Sequence, residues 1–103
     1  MSMHAALDLS ADHPSFAGHF PGYPVLPGAV LLDEALRAIA GARSLDLTQW
    51  QVSSVKFLEL VRPGDALDLE HDARQPGSIR FTIRIGDRKV ASGALSSIAQ
   101  GSA

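Results

Sequence analysis

The sequence predicts an α+β domain in which one buried helix is followed by an antiparallel meander of strands, and three features carry that prediction. The stretch AVLLDEALRAIA, from Ala29 to Ala40, consists of strong helix formers with apolar residues on most of its circumference. Residues 79 to 85 alternate Ile79, Phe81, Ile83 and Ile85 with Arg80, Thr82 and Arg84, the period-two signal of a strand with one buried face. Turn chemistry at Pro63-Gly64-Asp65, Gln75-Pro76-Gly77-Ser78 and Gly86-Asp87 divides the second half into successive strands. A sheet that must bury one face, with a single helix to cover it, is the α+β solution.

The 103 residues, 46% of them apolar, suit one domain over residues 1–103, with roughly 60 to 70% of the extended surface buried. Residues 4 to 10 read as a short strand with Leu7 and Leu9 on one side. The helix runs from Pro27 or Gly28 to about residue 41, with proline near its first turn and Gly41 as its stop. On a wheel of about 100° per residue, Asp33, Glu34 and Arg37 share one arc, so a helix mostly wrapped by other structure is expected. Strands follow over about 50–98: residues 50 to 61, a run beginning near Leu67, residues 79 to 85, and a last strand from about Lys89 to Ile98. His4 and His71 are expected at the surface, and residues 99 to 103 as a frayed tail.

Between the first strand and the helix, residues 12–27 have a different character. Four of the six prolines (Pro14, Pro21, Pro24, Pro27) and three of the nine glycines (Gly18, Gly22, Gly28) fall between positions 14 and 28. Proline fixes its own φ and restricts its predecessor, whereas glycine permits tight bends and close approaches, so this is a shaped loop rather than a linker. It holds His19, whose ring titrates near neutral pH, and Asp33 and Glu34 follow fourteen and fifteen positions later.

Composition excludes several classes. A net charge of −2 and a pI near 6.0 give no electrostatic case for nucleic acid, whose phosphates would want a clustered cationic face. Without cysteine there is no disulfide, thiolate nucleophile or thiolate metal site. His13 and His19 lack a clear third ligand, so neither a metal nor a cofactor is expected. The N-terminus lacks the basic flank and apolar core of a signal peptide, and no apolar run approaches the ~18 residues of a membrane span. A soluble cytoplasmic protein is the expectation.

The run Gly18-His19-Phe20-Pro21-Gly22, followed by Pro24, Pro27-Gly28 and Asp33, resembles the active-site signature of the hotdog-fold 3-hydroxyacyl-[acyl-carrier-protein] dehydratases. Val52-Ser53-Ser54-Val55-Lys56-Phe57 and Arg62-Pro63-Gly64-Asp65-Ala66-Leu67 resemble the strand and turn after the helix in that family, so the likeness covers most of the chain. It implies a hotdog fold, an antiparallel sheet wrapped around one long central helix. It also implies His19 as catalytic base, Asp33 as its partner, Gly28 as a backbone donor to the thioester carbonyl, and Phe20 and Pro27 beside the substrate. The substrate so implied is an acyl thioester on acyl carrier protein or coenzyme A, handled by a homodimer or higher homo-oligomer whose sites pair His19 of one protomer with Asp33 of the other.

Some positions depart from the family pattern. Tyr23 stands where relatives usually carry a charge, and the helix continues as Ala35-Leu36-Arg37 without the glutamine common there. Aspartate at position 33 resembles the branch that also isomerises the product double bond, whereas GHFPG resembles the branch that only dehydrates; isomerisation stays open.

The residues support the same chemistry independently. Elimination of water needs a base for the α-proton, a donor to the departing hydroxyl and a site for charge on the carbonyl oxygen. Imidazole at position 19, a desolvated carboxyl at position 33 and the unpaired N–H groups of the helix start are one candidate for each. The plainer readings are a loop histidine capping a carbonyl, an i,i+4 ion pair of Asp33 with Arg37, and Phe16, Phe20, Leu26 and Leu31 as ordinary core. Two other functions fit the same pattern: an acyl thioesterase, and an acyl-thioester-binding subunit without catalysis.

Overall fold

The structure, a computed structural model, describes residues 2–7, 28–62 and 65–98. Strand β1 (Ser2–Leu7) precedes helix α1 (Gly28–Arg43), a single 3₁₀ turn (Leu47–Gln49), and strands β2 (Trp50–Phe57), β3 (Leu67–Gln75), β4 (Ser78–Ile85) and β5 (Arg88–Ser97). All pairings are antiparallel, and the five strands form one sheet in the order β1-β3-β4-β5-β2. This is the α+β architecture expected from the sequence.

The alternation in β4 does what its period dictates. Ile79, Phe81 and Ile83 are buried on the face towards the helix, and Arg80 is exposed on the other. Leu31, Ala35 and Ile39 form one stripe of α1 at a spacing of four and meet those residues together with Leu69 and Leu95. Only this stripe is fully buried. Val30, Leu32, Leu36 and Ala38 pack partly against the core, so the single chain does not wrap the helix as fully as its apolar circumference predicts.

Gly77 (φ 77°) follows Pro76 in the β3–β4 turn, and Gly86 (φ 60°) opens the β4–β5 turn, where a side chain at positive φ would be strained. Gly93 has a different reason: a Cβ there would lie 2.6 Å from the Phe81 ring and from the Ser54 carbonyl oxygen. The bare strand lets the ring lie across it.

Several expectations change. The first strand is 2–7, not 4–10; Leu7 turns inward as predicted, and Leu9 lies outside the described residues. The helix does not stop at Gly41 but continues to Arg43, and Ser44 takes the left-handed conformation (φ 55°) that ends it. The strand predicted to reach residue 61 ends at Phe57, with Leu58 and Glu59 still donating to the Val90 carbonyl and Val61 buried separately. Strands β3, β4 and β5 form a meander, but β2 joins it beside β5 at the far edge, because the helix crosses over the sheet before β2 begins.

His71, expected at the surface, is 1% exposed. It sits on the inner face in phase with Leu67 and Leu69, and Arg43 Nε donates to its Nδ1 at 2.8 Å. Arg43 Nη2 also donates to the His71 carbonyl oxygen (3.3 Å), which anchors the last helical turn to β3. Nδ1 is thus the acceptor and Nε2 carries the proton, with no hydrogen-bond partner for Nε2 among the described residues. Burial first, then the charges of Arg43 and His4, push the His71 pKa below its ordinary value. The unfolded chain takes up a proton below about pH 6.5 while folded His71 stays neutral, so stability is full above that pH and falls as pH drops through it. Urea unfolding between pH 7.5 and 5 should therefore show a falling midpoint, and His71→Leu should remove that part of the slope. A midpoint flat over this range in the wild-type protein would contradict the buried neutral imidazole.

Candidate active site

Helix α1 begins at Gly28, at the edge of the described residues, and no acidic side chain occupies its first turn. The first N–H groups of a helix have no intrahelical acceptor and carry a fractional positive charge. Here no carboxylate of the same turn competes for them. The aromatic ring of Phe57, the last residue of β2, lies directly over Gly28: a Cβ built there would be 3.1 Å from the ring. Absence of a side chain thus brings the ring close to the helix start, and Phe57 remains 47% exposed. The sequence named Phe57 only as a β-former; its contact with Gly28 depends on how β2 crosses the helix, which no local pattern encodes.

Asp33 lies five residues further along α1 and its side chain is 57% exposed. Arg37 Nε donates to Asp33 Oδ2 at 2.8 Å, so the i,i+4 ion pair is formed, and it raises the Arg37 pKa above its ordinary value. Glu34, next along the helix, is half-buried and makes an interaction of its own. His19, Phe20 and Pro27 lie outside the described residues, as does the whole 12–27 loop. The described part of the site is therefore a helix N-terminus under an aromatic ring, with a carboxylate on the same helix.

Beyond this site, no strand among the described residues pairs with the outer edge of β2. Val52, Val55 and Phe57 pair with Leu95, Gly93 and Ala91, so they extend the inner, helix-facing surface of the sheet to that edge. They stay 38–47% exposed. Among the described residues no helix is long and apolar enough to cross a membrane.

The family model for ApeI-like proteins, described as ApeI dehydratase, matches residues 1–94. The chain belongs to the ApeI-like dehydratase family. Among curated proteins, it is 32% identical over 100 residues to the 3-hydroxyacyl-[acyl-carrier-protein] dehydratase FabZ of Thermoanaerobacter sp. (strain X514), covering 85% of this chain and 70% of that one. Among solved structures, the dehydratase heterocomplex ApeI:P from Xenorhabdus doucetiae superposes with a TM-score of 0.73 at 25% identity, over 92% of this chain and 85% of that one. The fluoroacetyl-CoA thioesterase FlK also superposes, with a TM-score of 0.64 over 99% of this chain and 90% of that one, but at 12% identity. That likeness is one of fold alone. An ApeI-like dehydratase and a thioesterase share the sheet-and-helix frame, so the frame by itself does not choose between elimination and hydrolysis.

Proposed function

We propose that this ApeI-like dehydratase removes water from a 3-hydroxyacyl thioester to give the trans-2-enoyl thioester, within fatty-acid or polyketide-like biosynthesis in the cytoplasm. The observation that carries the reading is the relation to a 3-hydroxyacyl-[acyl-carrier-protein] dehydratase over 85% of the chain, in a sequence that keeps His19, Gly28 and Asp33 at the motif spacing. In this reading His19 takes the proton from the α-carbon, and the electron pair left behind forms the double bond to the β-carbon as the hydroxyl departs. Protonated Asp33 delivers its proton to that hydroxyl, which leaves as water, and the proton held by His19 returns to Asp33 before the next turnover. Charge on the carbonyl oxygen during α-proton removal is met by the Gly28 N–H and its helix dipole, while Phe20 and Pro27 flank the thioester.

A carboxyl keeps its proton at neutral pH only where water is excluded. Asp33 is open to solvent in the single chain and paired with Arg37, so the reading requires a cover, and a second protomer supplies it. The β2 edge, unpaired among the described residues and with Val52, Val55 and Phe57 exposed, supports a homodimer in which the two sheets continue into each other. His19 of one protomer then closes over Asp33 of its partner. The thioester arrives on acyl carrier protein or coenzyme A, and no cofactor takes part. Mass spectrometry after incubation with a panel of 3-hydroxyacyl thioesters tests the assignment: loss of one water supports it, whereas release of free thiol assigns a thioesterase and an unchanged panel assigns a binding subunit.

A further inference from the structure

The buried stripe of α1 runs through Leu31, Ala35 and Ile39 at a spacing of four, and the next member of that spacing is Arg43. On β3 the inner-face positions Leu67 and Leu69 are likewise followed by His71. Two apolar stripes therefore end in a polar pair. Arg43 Nε donates to His71 Nδ1 at 2.8 Å and Arg43 Nη2 to the His71 carbonyl oxygen at 3.3 Å, so hydrogen bonds rather than apolar packing join the helix end to the sheet.

The final turn of the helix has weak support of its own. Gly41 and Ala42 are exposed, and a Cβ built on Gly41 would meet nothing within 4 Å outside its own helix. Glycine is also a poor helix former. Ser44 then takes φ 55°, and the chain packs against the core again at Leu45, whose N–H donates to the Ala40 carbonyl oxygen at 3.0 Å. Residues 41–44 are thus a short span between Ile39, which is fully buried, and Leu45.

The Arg43–His71 bond carries a proton requirement. A guanidinium only donates and does not lose its charge, so the bond exists only while Nδ1 keeps its lone pair. A proton on Nδ1 would set two donors and two positive charges 2.8 Å apart in a buried place. The cross-strand partners of His71, Met3 of β1 and Phe81 of β4, are apolar. Its neighbours Glu70 and Asp72 alternate to the outer face, where Glu70 accepts from Ser2 and meets His4 and Arg84. Arg43 from the helix and His4 from β1 both oppose a charge on the ring.

We propose that the Arg43–His71 clasp is a proton-released latch: in mild acid the ring takes up a proton, Arg43 swings out to solvent, and residues 41–44 open while the rest of the fold stays closed. Once the span is open the ring titrates as an ordinary imidazole near pH 6.5. The opening is therefore rarest above that pH and becomes up to about tenfold more frequent for each unit below it. Gly28 lies fifteen residues back along the helix, about 22 Å at 1.5 Å per residue. The latch is thus independent of the reaction proposed at that end.

Native-state hydrogen exchange of the full chain, read by NMR in low urea at pH 7.5, 6 and 5, tests the latch. The Arg43 and Leu45 amides should exchange through an opening insensitive to urea, and its equilibrium constant, corrected for intrinsic exchange, should rise at least about tenfold from pH 7.5 to pH 5. The Ala35 and Ile39 amides should exchange only through urea-sensitive global unfolding. In Arg43→Ala the local opening should be at least as frequent at pH 7.5 as in wild type at pH 5. In His71→Leu it should lose its pH dependence; should that variant fold poorly, Arg43→Ala and the ring nitrogen shifts of the wild-type protein still decide, since the latch requires the Nε2–H tautomer at pH 7.5. An Nδ1–H tautomer would overturn the proposal. So would a local opening equally frequent at every pH, one whose pH dependence survives in His71→Leu, or exchange of Arg43 and Leu45 only by global unfolding.

Discussion

His19→Ala and Asp33→Ala should each lower turnover of a 3-hydroxyacyl thioester by about 10²- to 10⁴-fold, the usual contribution of a positioned acid–base group. The two losses have different causes. In the proposed mechanism, loss of His19 leaves no base for the α-proton, and loss of Asp33 leaves the departing hydroxyl without a proton donor. Neither change should unfold the protein. The Asp33 side chain is 57% exposed and meets Arg37 on the helix surface, and an exposed pair of this kind contributes little to stability. A melting temperature within a few degrees of wild type, alongside the kinetic loss, separates a chemical role from a structural one. If Asp33→Ala instead melts early and keeps its rate, the ion pair with Arg37 is the whole role of that residue.

Mixing the two inactive variants should restore activity, and the size of the recovery is set by symmetry. If each site takes His19 from one protomer and Asp33 from the other, a mixed dimer has one site with both residues intact and one with neither. Random assortment makes about half of the dimers mixed, so about a quarter of all sites should work. Recovery should appear with the time course of subunit exchange and vanish when exchange is blocked. Demonstrated exchange without recovery would place both residues of a site in the same protomer. The exposed inner-face residues of β2 fit the shared arrangement: Val52 and Val55, each more than a third exposed in the single chain, would lose that cost if another chain extended the sheet.

How much of this was legible in the sequence depends on the range of the interaction that fixes each feature. Strand β4 and the two glycine turns beside it follow from local rules, because a period of two and a positive φ are properties of a few adjacent residues. His71 was legible too, since it continues the Leu67, Leu69 phase; the assumption that histidine prefers the surface overrode a periodic signal that was correct. The helix end was not. Gly41 is a stop by propensity, but Arg43 binding across to His71 makes a further turn worth forming, and that contact joins residues 28 positions apart. The position of β2 beside β5 is likewise a long-range choice that spacing along the chain does not encode.

At the candidate site the division is similar. Gly28 was legible as the start of the helix because proline before a run of helix formers marks one. Phe57 was not, since its meeting with Gly28 is a consequence of sheet order. Asp33 was expected either as a motif acid or as an Arg37 partner, and the single chain forms the second. Which of the two it serves turns on whether the proposed partner protomer covers it, which the helix alone does not decide.

The most direct test of the account is the reaction of the His19→Asn variant, which keeps polarity and approximate size but removes the proton acceptor proposed to abstract the α-proton. The measurement is mass-spectrometric detection of enoyl product from a 3-hydroxyacyl thioester that the wild-type protein dehydrates, with circular dichroism and sedimentation confirming that the variant is folded and assembled. The account predicts that wild type removes one water and that the variant, equally folded, forms product at least about a hundredfold more slowly. A folded, assembled His19→Asn protein that forms the enoyl thioester at near the wild-type rate would contradict it.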